Sequence, residues 1–549
     1  MKLKRMLSLA SAAALCLGLA ACGGTKTPSP DTSSNGDAVG ETMITLTESW
    51  QFSSGFYPVL TASNSSNYGA TFWNRNFYNT LVCYGENGEI KGELAEKWDV
   101  SDDGLTYTFT LRDGVKFSDG TDLTAGAVKT SFETAIKSLG QYNGSYGKLT
   151  SVIASMEAAD DNTFVLTLSQ PYYGTLNDLT MCSPLAIVNP AGISEDLLPK
   201  DDFLSQTMGT GPYMYEGETD GTSYTFVSNP YYWGEAPEVG GFKIKVIEDN
   251  DAKVLALRSG EIDAILGTSR LSYDAYGEIS GEDAFARAVD NSGTMTRCIG
   301  MNLSKPPFDD ANVRRAMAYA LDQGAICDAV FQGVELPAET MFEKSKMYCD
   351  VAQTTYEFDL DKANALMDEA GWIDSDGDGI REKDGQKLEF TIIYTQSIGS
   401  LDNAVLAIAS QLSKIGFKIT PNGTDMMTWF GTIGSGEYTL ALYQTYGGAY
   451  DPTTVMTNMN ADGSSDPVAR QISTLLEGGN ALILELNSTE DEKRVQEIYA
   501  EILGTVADQA IMIPISYTRE FAVWNKSKMA GYDFYPDGQY VCVSGIHVK

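Results

Sequence analysis

The stretch WDVSDDGLTYTFTLRDGVKFSDGTDLTAGAVKTSF, residues 98–132, organises the rest of the chain. Within it, residues 106–111 alternate threonine with Tyr, Phe and Leu, which is typical of a strand with one apolar face. Arg112-Asp113-Gly114 predicts a turn, and residues 115–117 predict a short returning strand. A helix is expected to begin just after Thr124, its candidate N-cap. Taken alone, this stretch predicts a surface hairpin followed by a helix.

Length and charge restrict the class of protein. A chain of 549 residues is too long for one ordinary core and predicts two or three domains. It carries 38 Lys plus Arg against 74 Asp plus Glu, a formal net charge of -36. This charge argues against nucleic acid as a partner and against binding to anionic lipid by charge. The 29 tyrosines offer flat apolar faces with a hydroxyl, which suit a wet ligand cleft, although most will pack in cores.

The chain begins like an exported lipoprotein. Three basic residues precede an apolar run, residues 6–19, that is too short for a typical spanning helix. Leu19-Ala20-Ala21-Cys22 then resembles the bacterial lipobox. We therefore expect residues 1–21 to be a signal peptide, Cys22 to carry the lipid, and residues 22–41, rich in Ser, Thr, Pro and Gly, to form a flexible tether. A plain secretory signal with an incidental cysteine is the alternative.

Four further blocks follow in order along the chain: GTGPY at residues 209–213, NPYYWG at 229–234, GEIDA at 260–264, and VRRAMAYALD at 313–322. Together with residues 98–132 they resemble solute-binding protein family 5, the extracytoplasmic receptors of ABC importers for peptides, nickel complexes and similar solutes. The resemblance covers roughly residues 44–541. Residues 488–517 look most like the nickel and metallophore branch.

The resemblance implies an α/β, two-lobed periplasmic-binding-protein fold with an extra inserted subdomain and a hinge between the lobes. Lobe I is then expected from residues 42–81, 206–295 and 509–549, the inserted subdomain from 82–205, and lobe II from 296–508. A first helix over residues 68–84 is part of the same expectation. The alternation of strand and helix patterns over residues 388–420 independently indicates an α/β lobe.

The first choice for a ligand-contacting segment is residues 446–452, YGGAYDP, which follow a predicted strand over residues 438–444. Ligands of α/β sheets sit beyond the carboxyl ends of strands. This places Tyr446, Tyr450 and Asp451 in the candidate site, although Asp451 has an alternative role in capping the turn.

Three other rings complete the predicted site. Tyr146 lies where the small subdomain of similar proteins offers a stacking ring, Trp429 precedes the adjoining strand, and Tyr68 begins the first helix. Each of these rings could equally be an ordinary packing residue. Together they predict a ligand clamped by ring faces with few charged anchors.

Comparison with two branches of the family restricts the class of ligand that we expect. Dipeptide receptors that resemble this chain hold the ligand's α-ammonium with an Asp three residues before the loop's Asp-Pro, and here that position is Gly448. Nickel receptors use a His after the loop and an Arg in the inserted subdomain. The matching residues 458–465 and 180–190 contain neither His nor Arg. Nickel bound through a protein imidazole is therefore not expected, whereas a fully chelated metal remains open.

Other chemistries find little support. Residues 374–379, DSDGDG, begin like a calcium loop, but the twelfth position is Gly385 instead of Glu, so a polar turn is the preferred interpretation. The single histidine, His547, excludes a His-rich metal site, and its place near the C-terminus, outside any nucleophile motif, gives no support to a Ser-His-Asp triad. The cysteines after residue 22 show no C-x-x-C pair, so zinc is not expected; some could pair, and buried free thiols are at least as plausible.

These patterns predict a substrate-binding lipoprotein of an ABC importer, anchored extracytoplasmically in the periplasmic space or on the cell surface. Its expected partners are a small solute (a peptide or a metal chelate), the permease subunits, and the membrane through the lipid. We expect no enzymatic activity, no cofactor, no protein-held metal, no nucleic acid, and a monomer. The alternatives are a secreted carbohydrate-active enzyme with paired carboxylates and a non-transport receptor or chaperone on the same fold.

Overall fold

The computed structural model describes residues 42–59, 68–85, 88–144, 146–218, 222–291, 295–396, 401–448, 450–460, 466–537 and 540–549. All of these belong to one unit, Val39–Lys549. The predicted signal peptide, the tether and Cys22 lie outside the described residues, as does the side chain of Tyr68. Among the described residues, every helix is too short or too polar to cross a bilayer.

Four sheets of three to six strands frame the described part of the chain. In sheet order, their strands are Met43–Glu48, Gly241–Val246, Ser223–Ser228 and Tyr213–Glu218; Ala264–Leu266, Phe521–Asn525 and Phe285–Val289; Leu336–Pro337, Met512–Tyr517, Thr296–Met301, Leu440–Gln444, Glu389–Thr395 and Lys418–Thr424; Ala95–Val100, Thr106–Leu111, Thr163–Leu168 and Ile153–Ala158. Two-stranded ribbons pair Val82–Tyr84 with Ile90–Gly92, Glu382–Lys383 with Gln386–Lys387, and Met529–Tyr532 with Ile546–Val548.

Helices connect and cover these sheets. They are Tyr68–Thr71, Ala125–Leu139, Leu149–Val152, Thr175–Asp178, Cys182–Leu185, Asn250–Ser259, Tyr273–Ile279, Ala311–Tyr319, Gln323–Val330, Leu360–Glu369, Leu401–Leu412, Met426–Ser435, Thr453–Thr457, Ile472–Leu475, Gly479–Leu486 and Glu492–Asp508. Several begin at an aspartate whose carboxylate accepts a first-turn N–H, namely Asp249, Asp310, Asp322, Asp359, Asp425 and Asp491. Such N-caps stabilise helices and also meet the positive end of the helix dipole, so part of the acidic excess has a structural role.

The buried apolar side chains form three cores. The small core draws on residues 81–187, and the large core on residues 254–523 around the six-stranded sheet. The third, which we call the terminal core, joins residues near both chain ends, from Ile44 to Ile546. It is held by the parallel pairing of Met43–Glu48 with Gly241–Val246. The predicted mixed α/β class is confirmed.

Within and just after residues 98–132, one strand and one helix form as predicted. Thr106–Leu111 is a strand whose alternate residues are buried, and Ala125–Leu139 is a helix. The Thr124 hydroxyl accepts the Ala127 N–H at 3.3 Å. The returning strand at residues 115–117 is wrong, because this part of the chain makes only an isolated bridge between Lys116 and Asp122.

The long first helix expected over residues 68–84 is also wrong. Only Tyr68–Thr71 is α-helical; a 3₁₀ turn, Asn74–Asn76, and the strand Val82–Tyr84 follow. Arg75 lies buried against Glu93, 3.0 Å from its carboxylate, and the Asn76 amide donates to the Val541 carbonyl at 2.7 Å. These polar side chains bond to distant segments in several directions, which a continuous helix with one buried stripe would not allow.

The chain passes twice between the three-stranded sheet and the six-stranded sheet, and the two connections lie side by side; we call them the paired crossings. Met512–Tyr517 pairs with Thr296–Met301 in that sheet, and just beyond them the Thr518 N–H donates to the Met295 carbonyl at 2.7 Å. The chain then enters Phe521–Asn525, which pairs with Ala264–Leu266 and Phe285–Val289. The sequence-based boundary at residue 509 therefore precedes a strand of this sheet, and the division into lobes remains a prediction.

Candidate functional site

The loop after strand Leu440–Gln444 begins at an edge where parallel strands end. Glu389–Thr395 runs parallel to both Leu440–Gln444 and Lys418–Thr424, so the carboxyl ends of all three strands lie on one side. Tyr450, in this loop, accepts the Met347 N–H with its carbonyl at 3.0 Å. Its ring centroid lies 5.3 Å from that of Tyr84, whose strand belongs to the small core region. Tyr450 thus bridges the large core and the small core.

Tyr446, four residues earlier, lies in a different environment. Its ring packs against the large core, and its hydroxyl donates to the Asp466 carboxylate at 2.9 Å. The Tyr443 hydroxyl donates to the same carboxylate at 2.7 Å. These contacts are those of a packing residue that anchors the base of the loop.

A set of contacts joins the small core region to the large core around Tyr450. The hydroxyls of Tyr173 and Tyr499 lie 3.0 Å apart, and the Asn177 amide approaches the Met347 sulfur at 3.7 Å. We call this surface the inter-core interface. Its contacting residues are Tyr84, Gly88, Tyr173, Gly174 and Asn177 on one side, and Met347, Tyr450, Thr453 and Tyr499 on the other. Asp178, Lys346 and Asp451 lie beside these contacts.

Glycines allow the closest approaches across this interface. A Cβ on Gly88, which has a φ of +78°, would lie 2.7 Å from the Tyr450 ring. A Cβ on Gly448 would lie 2.9 Å from the Tyr84 hydroxyl. A larger residue at either position would push the two sides apart, because 2.7–2.9 Å is well inside van der Waals contact. Tyr84 therefore occupies the space that an aspartate at residue 448 would need.

Three charged side chains are buried at the interface. Burial raises the pKa of Asp178 to about 8, against the lowering effect of the Leu149 N–H, and the nearby Asp451 carboxylate raises it further. Burial likewise raises the pKa of Asp451, although the hydroxyl and N–H of Thr453 oppose this. Burial lowers the pKa of Lys346 to about 8. The predicted turn-capping contact of Asp451 is present, at 2.9 Å to the Thr453 N–H.

Asp178 and Lys346 were missed by sequence reasoning. Asp178 ends a four-residue helix, and Lys346 lies in an irregular segment between strand Leu336–Pro337 and helix Leu360–Glu369. Neither lies in a motif or a periodic pattern. The one usable signal is the apolar setting of Asp178 in LNDLTM, where a lone acid predicts either burial or a turn.

The remaining predicted rings lie apart from these contacts. Trp429 lies within helix Met426–Ser435, packs against the large core, and has its centroid 5.2 Å from that of Phe430. Tyr146 is 36% exposed. Its neighbour Gly147 approaches the Asp178 carboxylate so closely that a Cβ would lie 2.6 Å away, which brings this loop to the rim of the interface. The roles assigned to these rings, to Tyr68, Tyr446, Tyr450 and Asp451, stay predictions.

The calcium-like loop is held by its own side chains. One Asp374 oxygen accepts the Gly377 N–H at 2.8 Å, and the Lys387 ammonium lies 2.8 Å from the Asp376 carboxylate and also contacts Asp378. Among the described residues, Asp374, Asp376 and Glu382 are the one group of three acidic, His or Cys side chains close enough to share a metal. All the loop's bonds are those of an exposed polar turn.

The six cysteines after residue 22 are free thiols: Cys83, Cys182, Cys298, Cys327, Cys349 and Cys542. Two small pockets of the described residues lie beside helix Glu492–Asp508 and beside Arg270 and Glu520. Neither pocket is lined by a predicted ligand residue.

The arrangement of three cores, paired crossings and an interface between cores is that of the two-lobed periplasmic binding proteins. The fold superposes on the crystal structure of NikA from Brucella suis in complex with Fe(III)-EDTA with a TM-score of 0.84, covering 93% of this chain and 100% of that one at 26% identity. Residues 89–466 match the bacterial extracellular solute-binding proteins, family 5. The chain belongs to this family, a class defined by solute binding and not by an enzymatic reaction.

Two of the relatives are named for different solutes. The nickel-binding periplasmic protein of Escherichia coli K12 is 27% identical over 460 residues, which is 84% of this chain and 87% of that protein. The probable D,D-dipeptide-binding periplasmic protein of the same organism is 27% identical over 84% of this chain and 86% of its own length. The family resemblance drawn from residues 98–132 and the later blocks is confirmed.

Proposed function

We propose that this chain is the substrate-binding component of an ABC importer. It captures a peptide-like solute or a metal chelate between its lobes and delivers it to the membrane permease. The observation that carries this proposal is the inter-core interface, where Tyr450 and Asp451 at the end of a strand meet Tyr84 and Tyr173 of the other core. Family membership and the names of the relatives support the same function.

The mechanism is hinge closure about the paired crossings near Met295 and Thr518. A ligand that contacts both sides of the interface does so only when the lobes are together. Such differential contact shifts the population towards the closed form. The permease then receives a closed, loaded receptor.

The residues at the interface suit a neutral or cationic solute with flat or amide groups. Tyrosine faces, the Asn177 amide and two carboxylates are available there, and Lys346 is the cation beside Asp451. The single imidazole, His547, lies in a distant ribbon, bonded to Asp533 at 2.8 Å and Glu238 at 3.1 Å. A metal would therefore arrive with its own chelator.

Ligand identity is tested by mass spectrometry of whatever co-purifies with the chain, followed by calorimetric titration. The probes are nickel alone, nickel with histidine, Fe(III)-EDTA, and mixed di- and tripeptides. We expect one-to-one binding of a peptide or a chelate without turnover, and weak or no binding of nickel alone. Formation of a product from the bound molecule would favour the enzyme alternative, and tight binding of uncomplexed nickel would contradict the chelate assignment.

The lipid anchor at Cys22 is a separate part of the proposal, motivated by the lipobox. Cys22→Ala should release the chain from membranes or leave the precursor uncleaved. Cys16→Ala, within the signal peptide, is the matched control and should leave both processing and membrane association intact. Unchanged membrane association of Cys22→Ala, with normal processing, would overturn the lipoprotein assignment.

A further inference from the structure

Tyr173 packs against two cores at once. It lies just before helix Thr175–Asp178 and contacts both the small core and the large core. On the side of the large core, its ring meets those of Tyr348 and Tyr499 edge-to-face, with centroids 6.1 and 6.2 Å away. Its hydroxyl lies 3.0 Å from that of Tyr499. These distances are those of favourable aromatic pairs.

The two rings that receive Tyr173 are held in place by the large core, and we call them the tyrosine socket. Their centroids are 5.3 Å apart, and Tyr499 is fully buried on helix Glu492–Asp508. Gln496, on the same face of that helix, donates its amide to the Tyr348 carbonyl at 3.0 Å. Tyr348 has a φ of +61°, a left-handed conformation that a tyrosine keeps only where its neighbours hold it. The socket is therefore built by contacts on its own side of the interface.

The contact between the two sides continues away from the loop at residues 446–452. The Gln170 amide donates to the Asn487 carbonyl at 2.8 Å. The Gly104 backbone lies against the Glu490 carboxylate. Gln170 and Gly104 come from the small core region, whereas their partners come from a segment that connects two helices beside the large core. Every partner is a group of the chain itself, and none is a predicted ligand residue.

We propose that Tyr173 and the tyrosine socket form a latch that holds the two lobes closed without a solute. This inference rests on the lobe closure of the proposed function, and it assigns Tyr173 a role distinct from contacting the solute. A solute contact exists only when a solute is bound. The ring pairs and the bond between Gln170 and Asn487 form whenever the two sides meet, so they raise the closed fraction of the free receptor.

A closed fraction that exists before binding affects every solute equally. The apparent Kd is the intrinsic Kd divided by the fraction of molecules in the binding-competent form. Loss of the latch lowers that fraction and therefore weakens binding of peptides and chelates by the same factor. A side chain that touches the solute, by contrast, changes the affinities of different solutes by different factors.

Small-angle X-ray scattering measures the closed fraction through the radius of gyration, on protein that mass spectrometry shows to be free of co-purified solute. We expect the unmodified chain to scatter as the closed form and Tyr173→Ala to have a larger radius of gyration. Gln170→Ala removes one bond across the interface and should give a smaller increase. Tyr231→Ala truncates a tyrosine that is 45% exposed, so it is the control and should match the unmodified chain.

Calorimetric titration with Fe(III)-EDTA and with mixed dipeptides gives a second readout. For each of these probes that the unmodified chain binds, Tyr173→Ala should raise the apparent Kd by one common factor of about two- to tenfold, the worth of an aromatic pair. Tyr231→Ala should leave the apparent Kd unchanged.

Each result decides the question. A solute-free unmodified chain that scatters as an open molecule overturns the proposal, even if Tyr173→Ala does not fold. A radius of gyration unchanged in Tyr173→Ala, or in Gln170→Ala if the first variant does not fold, overturns the role of these contacts. An equal increase in Tyr231→Ala would show a general loss of packing and would also overturn it. Loss of binding to one probe with another unaffected would make Tyr173 a solute contact instead of a latch. Solute binding by the unmodified chain remains a separate outcome, so failure here leaves the transport function standing.

Discussion

Two buried charge clusters in this molecule are built in opposite ways. Near the paired crossings, the Arg297 guanidinium spans both carboxylate oxygens of Glu335 at 2.8–3.0 Å. The hydroxyls of Tyr273 and Ser516 donate to the same carboxylate. One cation meets one anion, and four donors fill the anion's lone pairs. This cluster is complementary and fully satisfied.

The cluster at the inter-core interface is unbalanced. Asp178 and Asp451 come from opposite sides; burial and then the Asp451 carboxylate raise the pKa of Asp178, whereas burial raises the pKa of Asp451 and the Lys346 ammonium opposes this. The interaction among these groups is favourable only in some of their protonation states. The difference teaches that buried charge is arranged in two ways here: a satisfied pair joins two segments of one sheet, whereas an unbalanced set lies beside the contact between two cores. The lobe closure proposed above would use both arrangements.

The largest expected effect is the loss of the satisfied pair. Glu335→Ala should lower the free energy of unfolding by about 3–5 kcal/mol, because it leaves the Arg297 guanidinium buried without its counter-ion. Denaturant unfolding measures this. Glu485→Ala, which removes an exposed partner of Arg494, is the control and should change stability little. A loss below about 1 kcal/mol for Glu335→Ala would contradict the claim that this cluster contributes to stability.

The next test compares one hydroxyl from each cluster. Tyr273→Phe removes a hydrogen bond to a buried carboxylate and should cost about 1.5–3 kcal/mol of unfolding free energy. Tyr173→Phe removes the neutral contact with the Tyr499 hydroxyl and should cost about 0.5–1.5 kcal/mol. Both variants keep their rings, so packing is matched. Equal losses in denaturant unfolding would remove the distinction between the two clusters.

The two tyrosines of the loop at residues 446–452 should differ in the same way, because Tyr450 lies at the inter-core interface and Tyr446 packs on the large core. Tyr450→Ala should weaken solute binding by about 1–3 kcal/mol, as expected for an aromatic anchor between two surfaces. Tyr446→Ala should instead lower stability, because it removes packing on the large core and the bond to Asp466. Melting temperature and calorimetric affinity of both variants decide this. A large loss of stability for Tyr450→Ala with affinity intact would assign Tyr450 to the core.

Local patterns predicted the local structure well, for physical reasons. The alternation of Thr106–Leu111 and the cap at Thr124 depend on neighbours within four residues, and both are present. The 68–84 helix failed because Arg75 and Asn76 bond to Glu93 and Val541, which local patterns do not reveal. The family blocks supplied the long-range arrangement that periodicity could not.

The candidate site was predictable only in part. Tyr450 and Asp451 follow a strand, so the rule that ligands lie beyond strand ends could find them. Asp178 and Asp451 come from segments of two different cores, and no local pattern encodes that they influence each other. The same holds for Arg297 and Glu335, whose pairing depends on the register of distant strands. Polar residues whose partners lie far away in the chain therefore remained invisible.

The smallest expected effect concerns a third, exposed charge cluster with similar groups. His547 lies between the Asp533 and Glu238 carboxylates, and hydrogen bonding to Asp533, then to Glu238, raises its pKa above the ordinary value of 6.5. Because the folded-state pKa is raised, this contribution to stability is fully present below pH 6.5 and is lost as pH rises through the folded-state value. The imidazole is 42% exposed, so solvent and salt screen the interaction to below about 1 kcal/mol. Melting curves of the unmodified chain and His547→Gln from pH 5.5 to 8.5 should differ slightly at low pH, converge at high pH, and coincide in high salt. A difference that persisted at high pH or in high salt would show that His547 acts through packing, and burial would no longer explain why the three clusters differ in strength.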